Sequence, residues 1–303
     1  MAASCWGLPQ LLCEFPSLPN KSLRVMRKGI DEGFRDIVRT YSDAIDAATA
    51  PLQIFLNMLE DAFTKAPWLL VLVLLVAVVW FGSRSWKTVV GTVIAMLLIG
   101  VFGLWTDTMT TLAMVTVATF VAILIGLPLG ILMARSDRFQ SFLSPLLDVM
   151  QTLPSFVYLI PVVVIFGIGK VPGLIAVVIY AVPPMIRLTN LGIRLVDRDV
   201  IEAADAYGAS PRQKLWGVQL PLSLPTIMTG VNQTIMMSLS MVVVASMVGV
   251  GGLGKNVLQA ITNQYFTVGF LNGFALVAIA IIFDRTSQAF GNRIQKHQGA
   301  GHD

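Results

Sequence analysis

Seven stretches of this chain are long apolar runs, at roughly 67–82, 86–104, 108–134, 145–169, 171–193, 222–249 and 268–289. A helix needs about 20 such residues to cross the hydrocarbon core of a bilayer. Inside lipid every backbone N–H and C=O must be satisfied within the protein, which leaves helices or closed barrels. Runs this long predict helices. The expected fold is therefore all-α and polytopic, with about seven transmembrane helices. Composition agrees: 13% of residues are charged, about half the share found in soluble domains. Mean hydropathy is +0.76. The chain divides by composition into an N-terminal tail (1–64), a membrane domain (65–290) and a short C-terminal tail (291–303).

Residues 1–20 are weakly patterned and expected to be poorly ordered. They lack the basic start and long apolar core of a cleavable signal peptide. Further on, Leu23, Met26, Ile30, Phe34, Ile37, Val38, Tyr41 and Ile45 recur at three- and four-residue spacing among Arg24, Arg27, Lys28, Arg35 and Arg39. That pattern predicts an amphipathic helix, lying in the membrane interface or packed on the rest of the chain. Pro51 to Phe63 continues it. Cys5 and Cys13 sit in the tail and form no metal or disulfide framework. The two histidines, His297 and His302, lie at the C-terminus. Histidine-based catalysis and a metal cluster are therefore not expected.

The net charge of +4 is distributed by loop. With the polar segment 202–221 on the cytoplasmic side, Arg84, Lys87, Arg135, Arg138, Arg187, Arg194, Arg198, Arg212, Lys214, Arg285, Arg293 and Lys296 fall there too. Lys65, Lys170 and Lys255 fall opposite. This is the bias of the positive-inside rule, and it accounts for the basic balance without nucleic-acid binding. Seven spans then place the C-terminus inside and the N-terminus outside.

The segment EAADAYGASPRQKLWGVQLP, Glu202 to Pro221, is a polar, helix-forming island between apolar spans. Asp197 or Asp199 can cap its first helix. Gly208 interrupts it, and Ser210, Pro211 and Gln213 read as a fresh start with Ser at the cap and Pro at the first helical position. Leu220-Pro221 is expected to end the unit. Two short helices beside the membrane follow.

This segment resembles the EAA loop of ABC importer permeases: Glu202-Ala203-Ala204, three residues, Gly208, nine residues, Val218, one residue, then Leu220-Pro221. Val218 stands where Ile is commoner. The resemblance implies that Glu202, Ala203, Ala204, Gly208, Leu220 and Pro221 belong to a coupling loop (199–221) that docks on a cytoplasmic ATPase subunit. A second resemblance is longer. From Asp148 to Leu258 the chain is similar to the permeases of glycine betaine, proline betaine and choline ABC importers. It is carried by DVMQTLPSFVYLIP from Asp148, FGIG from Phe166, YAVPPMIRLTN from Tyr180 and MVGVGGLG from Met247. It implies the type I ABC importer permease architecture and a bacterial inner-membrane location. It also implies a second copy of this chain, two ATPase subunits and a separate external substrate-binding protein. On this reading the chain is a translocation subunit rather than an enzyme. It carries no cofactor, and ATP and magnesium are bound by the partner.

Gly249 to Lys255 fits the spacing GxxxxGK of a phosphate-binding loop, but Asn256 replaces the Ser or Thr that would hold magnesium. A membrane span precedes it where a strand is required, so a glycine-rich turn is expected instead. Polar groups within spans are costly and suggest function. Gln151, Thr152, Tyr158, Asn232, Gln233, Ser238 and Ser240 are the candidates for a translocation path, with helix-to-helix hydrogen bonding as the other reading. Asp148 and Arg187 sit near span ends and are expected to form a structural ion pair or to reach toward water. A rival assignment is an ion-gradient-driven secondary transporter of small zwitterions or cations. That class usually carries inverted repeats with matched broken helices, and none is visible here.

Overall fold

The computed structural model describes residues 19–299. Cys5, Cys13, His302 and the expected disorder of the N-terminal tail before Pro19 lie outside the described residues. All regular structure among the described residues is helical. The chain divides into two compact units, Met1–Ala48 and Thr49–Asp303.

In the first unit, α1 (Asn20–Thr40) is amphipathic as its spacing predicts. Met26, Ile30 and Phe34 line one exposed apolar stripe. The Thr40 hydroxyl donates to the Asp36 carbonyl at 2.8 Å near the end of the helix. α2 (Ser42–Lys65) begins in this unit and passes into the second.

At Ala66-Pro67 the chain bends by 113° from α2 into α3 (Trp68–Ser83). Pro67 has no N–H to continue α2, and its extended ψ of 131° starts the next helix. Glu60 fixes the end of α2 by accepting from Lys170 Nζ at 2.8 Å on both carboxylate oxygens. Arg84, in the left-handed region at φ 49°, reverses the chain into α4 (Trp86–Val101). The centre of the unit is formed by α5 (Trp105–Arg135), α8 (Lys170–Arg194) and α11 (Leu220–Ala245). Met109, Val117, Ala118, Leu174, Val177, Met241 and Val242 are fully buried among them. Gly130 lets α5 and α8 touch: a Cβ there would lie 2.5 Å from Thr189 Cβ and 2.8 Å from the Ile186 carbonyl oxygen. Pro183 and Pro184 lie inside α8 without breaking it, and Pro128 is accommodated in α5 in the same way. α12 (Leu253–Asn263) and α13 (Phe266–Gly299) complete the bundle, α13 packing on α11, α12 and α3.

Three expected spans need correction. α3 and α4 have 16 residues each, or about 24 Å of helix, short of a full crossing. The expected span 145–169 is broken: α6 (Asp137–Thr152) meets the segment Ser155–Phe166 at 112°. That segment is a 3₁₀ turn, Ser155–Tyr158, followed by α7 (Leu159–Phe166). Pro154 is the cause. It forces Leu153 out of the helical region to ψ 133°, and α6 stops one residue earlier. By length and apolarity four helical stretches can cross a membrane, or up to six if each bent pair counts as one span.

Contacts sort the loops to two ends of this unit. Arg293 donates to the carbonyls of Phe81 at 3.1 Å and Gly82 at 2.5 Å. Arg194 donates to the Met133 carbonyl at 3.1 Å and to Asp137 at 2.7 Å. The turn at 84, the α5–α6 junction, the 195–221 loop and the later part of α13 therefore share one end, which carries Arg84, Lys87, Arg135, Arg138, Arg194, Arg212, Lys214 and Arg285. At the other end Lys170 meets Glu60, and Gly169 N–H donates to the Val248 carbonyl at 2.8 Å.

Candidate functional site

The polar island folds into α9 (Arg198–Ala206), a glycine turn and α10 (Pro211–Lys214). The Asp197 carboxylate caps α9 by accepting from the Asp199 N–H at 3.0 Å. Gly208 takes φ +75°, which lets the Ala209 N–H return to the Ala204 carbonyl at 3.0 Å. Ser210 and Gln213 form a reciprocal capping box, with the Ser210 N–H donating to Gln213 Oε1 at 2.8 Å and the Gln213 N–H to Ser210 Oγ at 3.4 Å. An ion pair between Lys214 and Asp205 at 2.5 Å closes the turn across the two pieces.

One expectation fails here. Leu220-Pro221 does not end the unit. A π-helical turn, Leu215–Gln219, joins α10 directly to α11, and the stretch Pro211–Val248 runs as 38 helical residues. The wide turn shifts the hydrogen bonds to i→i+5, so the Leu220 N–H reaches the Leu215 carbonyl. Pro221, which has no N–H, then sits where the register changes. The part of the segment from Pro211 onward is thus a helical extension of α11.

No residue of α9 is buried. Glu202 and Ala203 are exposed and Ala204 is half-buried. Among the described residues Glu202 has no hydrogen-bond or ion-pair partner. Tyr207 is 93% exposed and Trp216 64% exposed. A helix this short is marginal alone in water, and both aromatic side chains stand open at the surface of a polar loop.

The seven path candidates separate into two groups. Gln151, Thr152, Gln233 and Ser240 are exposed. The first two sit at the α6 bend, whose 3₁₀ turn packs against α11. Gln233 and Ser240 are two helical turns apart on one face of α11. Tyr158 and Ser238 are buried. The Tyr158 hydroxyl donates to the Met150 carbonyl and its ring meets Tyr180 edge-on at 5.9 Å, so it braces the bend. The Ser238 hydroxyl returns to the Thr234 carbonyl at 2.9 Å. Asn232 faces α13: its amide donates to Asp284 Oδ1 at 2.9 Å and its carbonyl accepts from the Ser287 hydroxyl at 2.6 Å. Arg187 and Asp148 form the expected ion pair.

Asp284 escaped the sequence reading, although an acid inside an apolar run is a signal in itself. It also accepts from Gln288 Nε2 at 2.5 Å. Asn256, which departs from the phosphate-loop pattern, has a structural use. It donates to Asp107 at 2.6 Å and to Asn272 at 3.0 Å, while the Leu253 N–H donates to Thr111 Oγ1 at 2.9 Å. The glycine-rich turn is thereby anchored on the first turn of α5. Asn232→Leu is expected to lower stability by about 1 kcal/mol, the range of interhelical hydrogen bonds in membranes. Thermal unfolding in detergent measures it. Altered uptake with unchanged stability would instead place Asn232 on the path.

Residues 126–296 match the family described as binding-protein-dependent transport system inner membrane component. The chain is 44% identical over 272 residues to the glycine betaine/proline betaine transport system permease protein ProW of Escherichia coli, covering 90% of this chain and 77% of the relative. It is 48% identical over 229 residues to the glycine betaine/carnitine transport permease protein GbuB of Listeria monocytogenes, covering 75% and 81%. It is 41% identical over 252 residues to the glycine betaine transport system permease protein OpuAB of Bacillus subtilis, covering 83% and 89%. Among solved structures it resembles the MetNI methionine ABC transporter in inward-facing conformations, with TM-score 0.56 and 25% identity over 61% of this chain and 93% of that one. The α5–α8–α11 core and its helical extension at 198–221 are thus those of a known class of membrane protein, and the chain belongs to the binding-protein-dependent transport system inner membrane component family.

Proposed function

We propose that this chain is the translocation subunit of an ATP-driven importer for quaternary-ammonium compatible solutes, with glycine betaine, proline betaine or choline as cargo. The observation that carries the coupling is α9. It bears Glu202-Ala203-Ala204, has no fully buried residue, and is joined by the Gly208 turn to α10, which continues through a π turn into α11. A separate ATPase docks there and binds the ATP and magnesium; this chain needs no cofactor. ATP binding closes the ATPase pair, the 199–221 loop moves with it, and the path opens outward to receive solute from an external binding protein. Hydrolysis resets the path inward. A second copy of the chain completes the path.

The substrate class is supported by the named substrates of the relatives. It is also supported by the exposed path candidates Gln151, Thr152, Gln233 and Ser240, which are all neutral. Amides and hydroxyls hold a zwitterion weakly and release it, as a path must. The basic end of the second unit supports a cytoplasmic loop and C-terminus in the bacterial inner membrane. Residues 65–290 form the permease domain on this reading, flanked by tails at 1–64 and 291–303.

The test is uptake of labelled glycine betaine into vesicles holding the chain, its ATPase and its binding protein. Uptake is expected only with ATP on the ATPase side, and to be competed by choline or proline betaine if they share the path. Uptake driven by an ion gradient without ATP would make the chain a secondary transporter.

A further inference from the structure

We propose that the groove between α4 and α13 is a binding site for one anionic phospholipid. The groove has a volume of about 410 Å³. Its walls are Gly91, Thr92 and Ala95 on α4 and Phe274, Val277 and Ile281 on α13. It follows α4 from Lys87 to Ala95, about 12 Å at 1.5 Å per residue. The wall is apolar and uncovered: Val277 and Ile281 are each more than half exposed. An acyl chain fits such a slot.

The polar group is specified by Lys87 on α4 and Arg285 on α13, which both line the groove. Both are exposed, and among the described residues neither has a hydrogen-bond or ion-pair partner. Arg84 lies three residues before Lys87, and its side chain likewise has no partner among the described residues. Trp86, 70% exposed, lies at the same level. Exposed tryptophan marks the headgroup level of a bilayer, and basic pockets between membrane helices on the basic side hold anionic headgroups. A phosphate placed between Lys87 and Arg285 with its acyl chain along Gly91 satisfies both halves of the groove. A second copy of this chain fits less well. A two-fold interface formed by this groove would bury Lys87 and Arg285 against a lining that carries no acid to pair them. The inference rests on membrane residence of the family and is independent of what the chain transports.

Native mass spectrometry of the full chain released from nanodiscs of equal phosphatidylglycerol and phosphatidylcholine tests it. The wild-type chain is expected to retain one phosphatidylglycerol in preference to phosphatidylcholine. The double variant Lys87→Gln, Arg285→Gln should lose that preference about twenty-five-fold, at about fivefold per cation removed. Gly91→Leu should lose the retained lipid with both cations in place. No atom lies within 4 Å of a Cβ at Gly91, so the side chain fills the groove without disturbing the helix pair, and an unchanged melting temperature confirms this. Equal retention of the two lipids by the wild-type chain, or unchanged phosphatidylglycerol occupancy in both variants, overturns the site. Efficient disulfide formation between copies carrying Gly91→Cys and Val277→Cys would assign the groove to a second copy instead.

Discussion

Glu202→Lys and Gly208→Asp are each expected to lower ATP-driven uptake at least tenfold while leaving the membrane fold intact. The two changes act differently. Glu202 is exposed and has no partner among the described residues, so reversing its charge removes nothing from this chain. On the proposed coupling role its cost falls on the docked ATPase, where a tenfold effect corresponds to about 1.4 kcal/mol of lost contact. Gly208 has open space around its Cβ position, but its φ of +75° is left-handed. Most L-residues there cost about 1–2 kcal/mol and Asp less, and the turn that sets α9 against α10 yields first. The paired measurements are uptake in vesicles and thermal unfolding in detergent. Wild-type uptake by both variants would remove the coupling role from this loop. A large loss of thermal stability would make it a folding element instead.

Gly130→Leu has the largest expected effect on stability. A Cβ at this position would lie 2.8 Å from the Ile186 carbonyl oxygen, a backbone atom that cannot swing aside. Even Gly130→Ala overpacks the α5–α8 crossing, at about 1–3 kcal/mol, and Leu exceeds that range. Gly126 repeats the contact one turn earlier, with a Cβ position 2.7 Å from Met185 Cβ and Cγ. Gly273 on α13 is the control, because no atom lies within 4 Å of its Cβ position. Gly273→Ala should gain about 0.5–1 kcal/mol from helix propensity alone. Equal melting temperatures for Gly130→Leu and the wild-type chain would show that α5 and α8 do not meet there.

Four of the seven expected spans and the two short helices at 198–214 were legible in sequence because their signals are local. Apolar run length predicts a membrane helix without knowledge of its neighbours. Asp197, Gly208, Ser210, Pro211 and Gln213 act within one or two turns of themselves, and each does what its residue type predicts. The Arg187–Asp148 pair was also legible, since charges at span ends have few places to go. What could not be read depends on partners distant in sequence. Gly126 and Gly130 carry no local mark of their role in an apolar run; only the approach of Met185 and Thr189 on α8 shows them to be packing positions. Asn232 read as a polar group in a span, and nothing near it in sequence points to Asp284. The π turn before Pro221 was hidden for another reason. A proline there predicts an end, and a change of hydrogen-bond register that absorbs it leaves no mark of its own. Conversely, Pro154 did end its helix, because the 3₁₀ turn after it is braced by Tyr158 on the Met150 carbonyl.

The most direct test of the account is photo-crosslinking from position 207. Tyr207 is 93% exposed at the tip of the 198–221 loop, and its replacement by benzoylphenylalanine leaves the packing of this chain untouched. In vesicles with the ATPase present, irradiation is expected to join the two polypeptides, with a yield that changes when ATP is added. The same probe at Phe142, 75% exposed on α6, measures the background. An adduct at 207 that responds to ATP would place the loop where the force of hydrolysis enters the membrane helices. Absence of an adduct above the 142 background, in vesicles that still take up solute with ATP, would contradict that and move the coupling surface elsewhere on the chain.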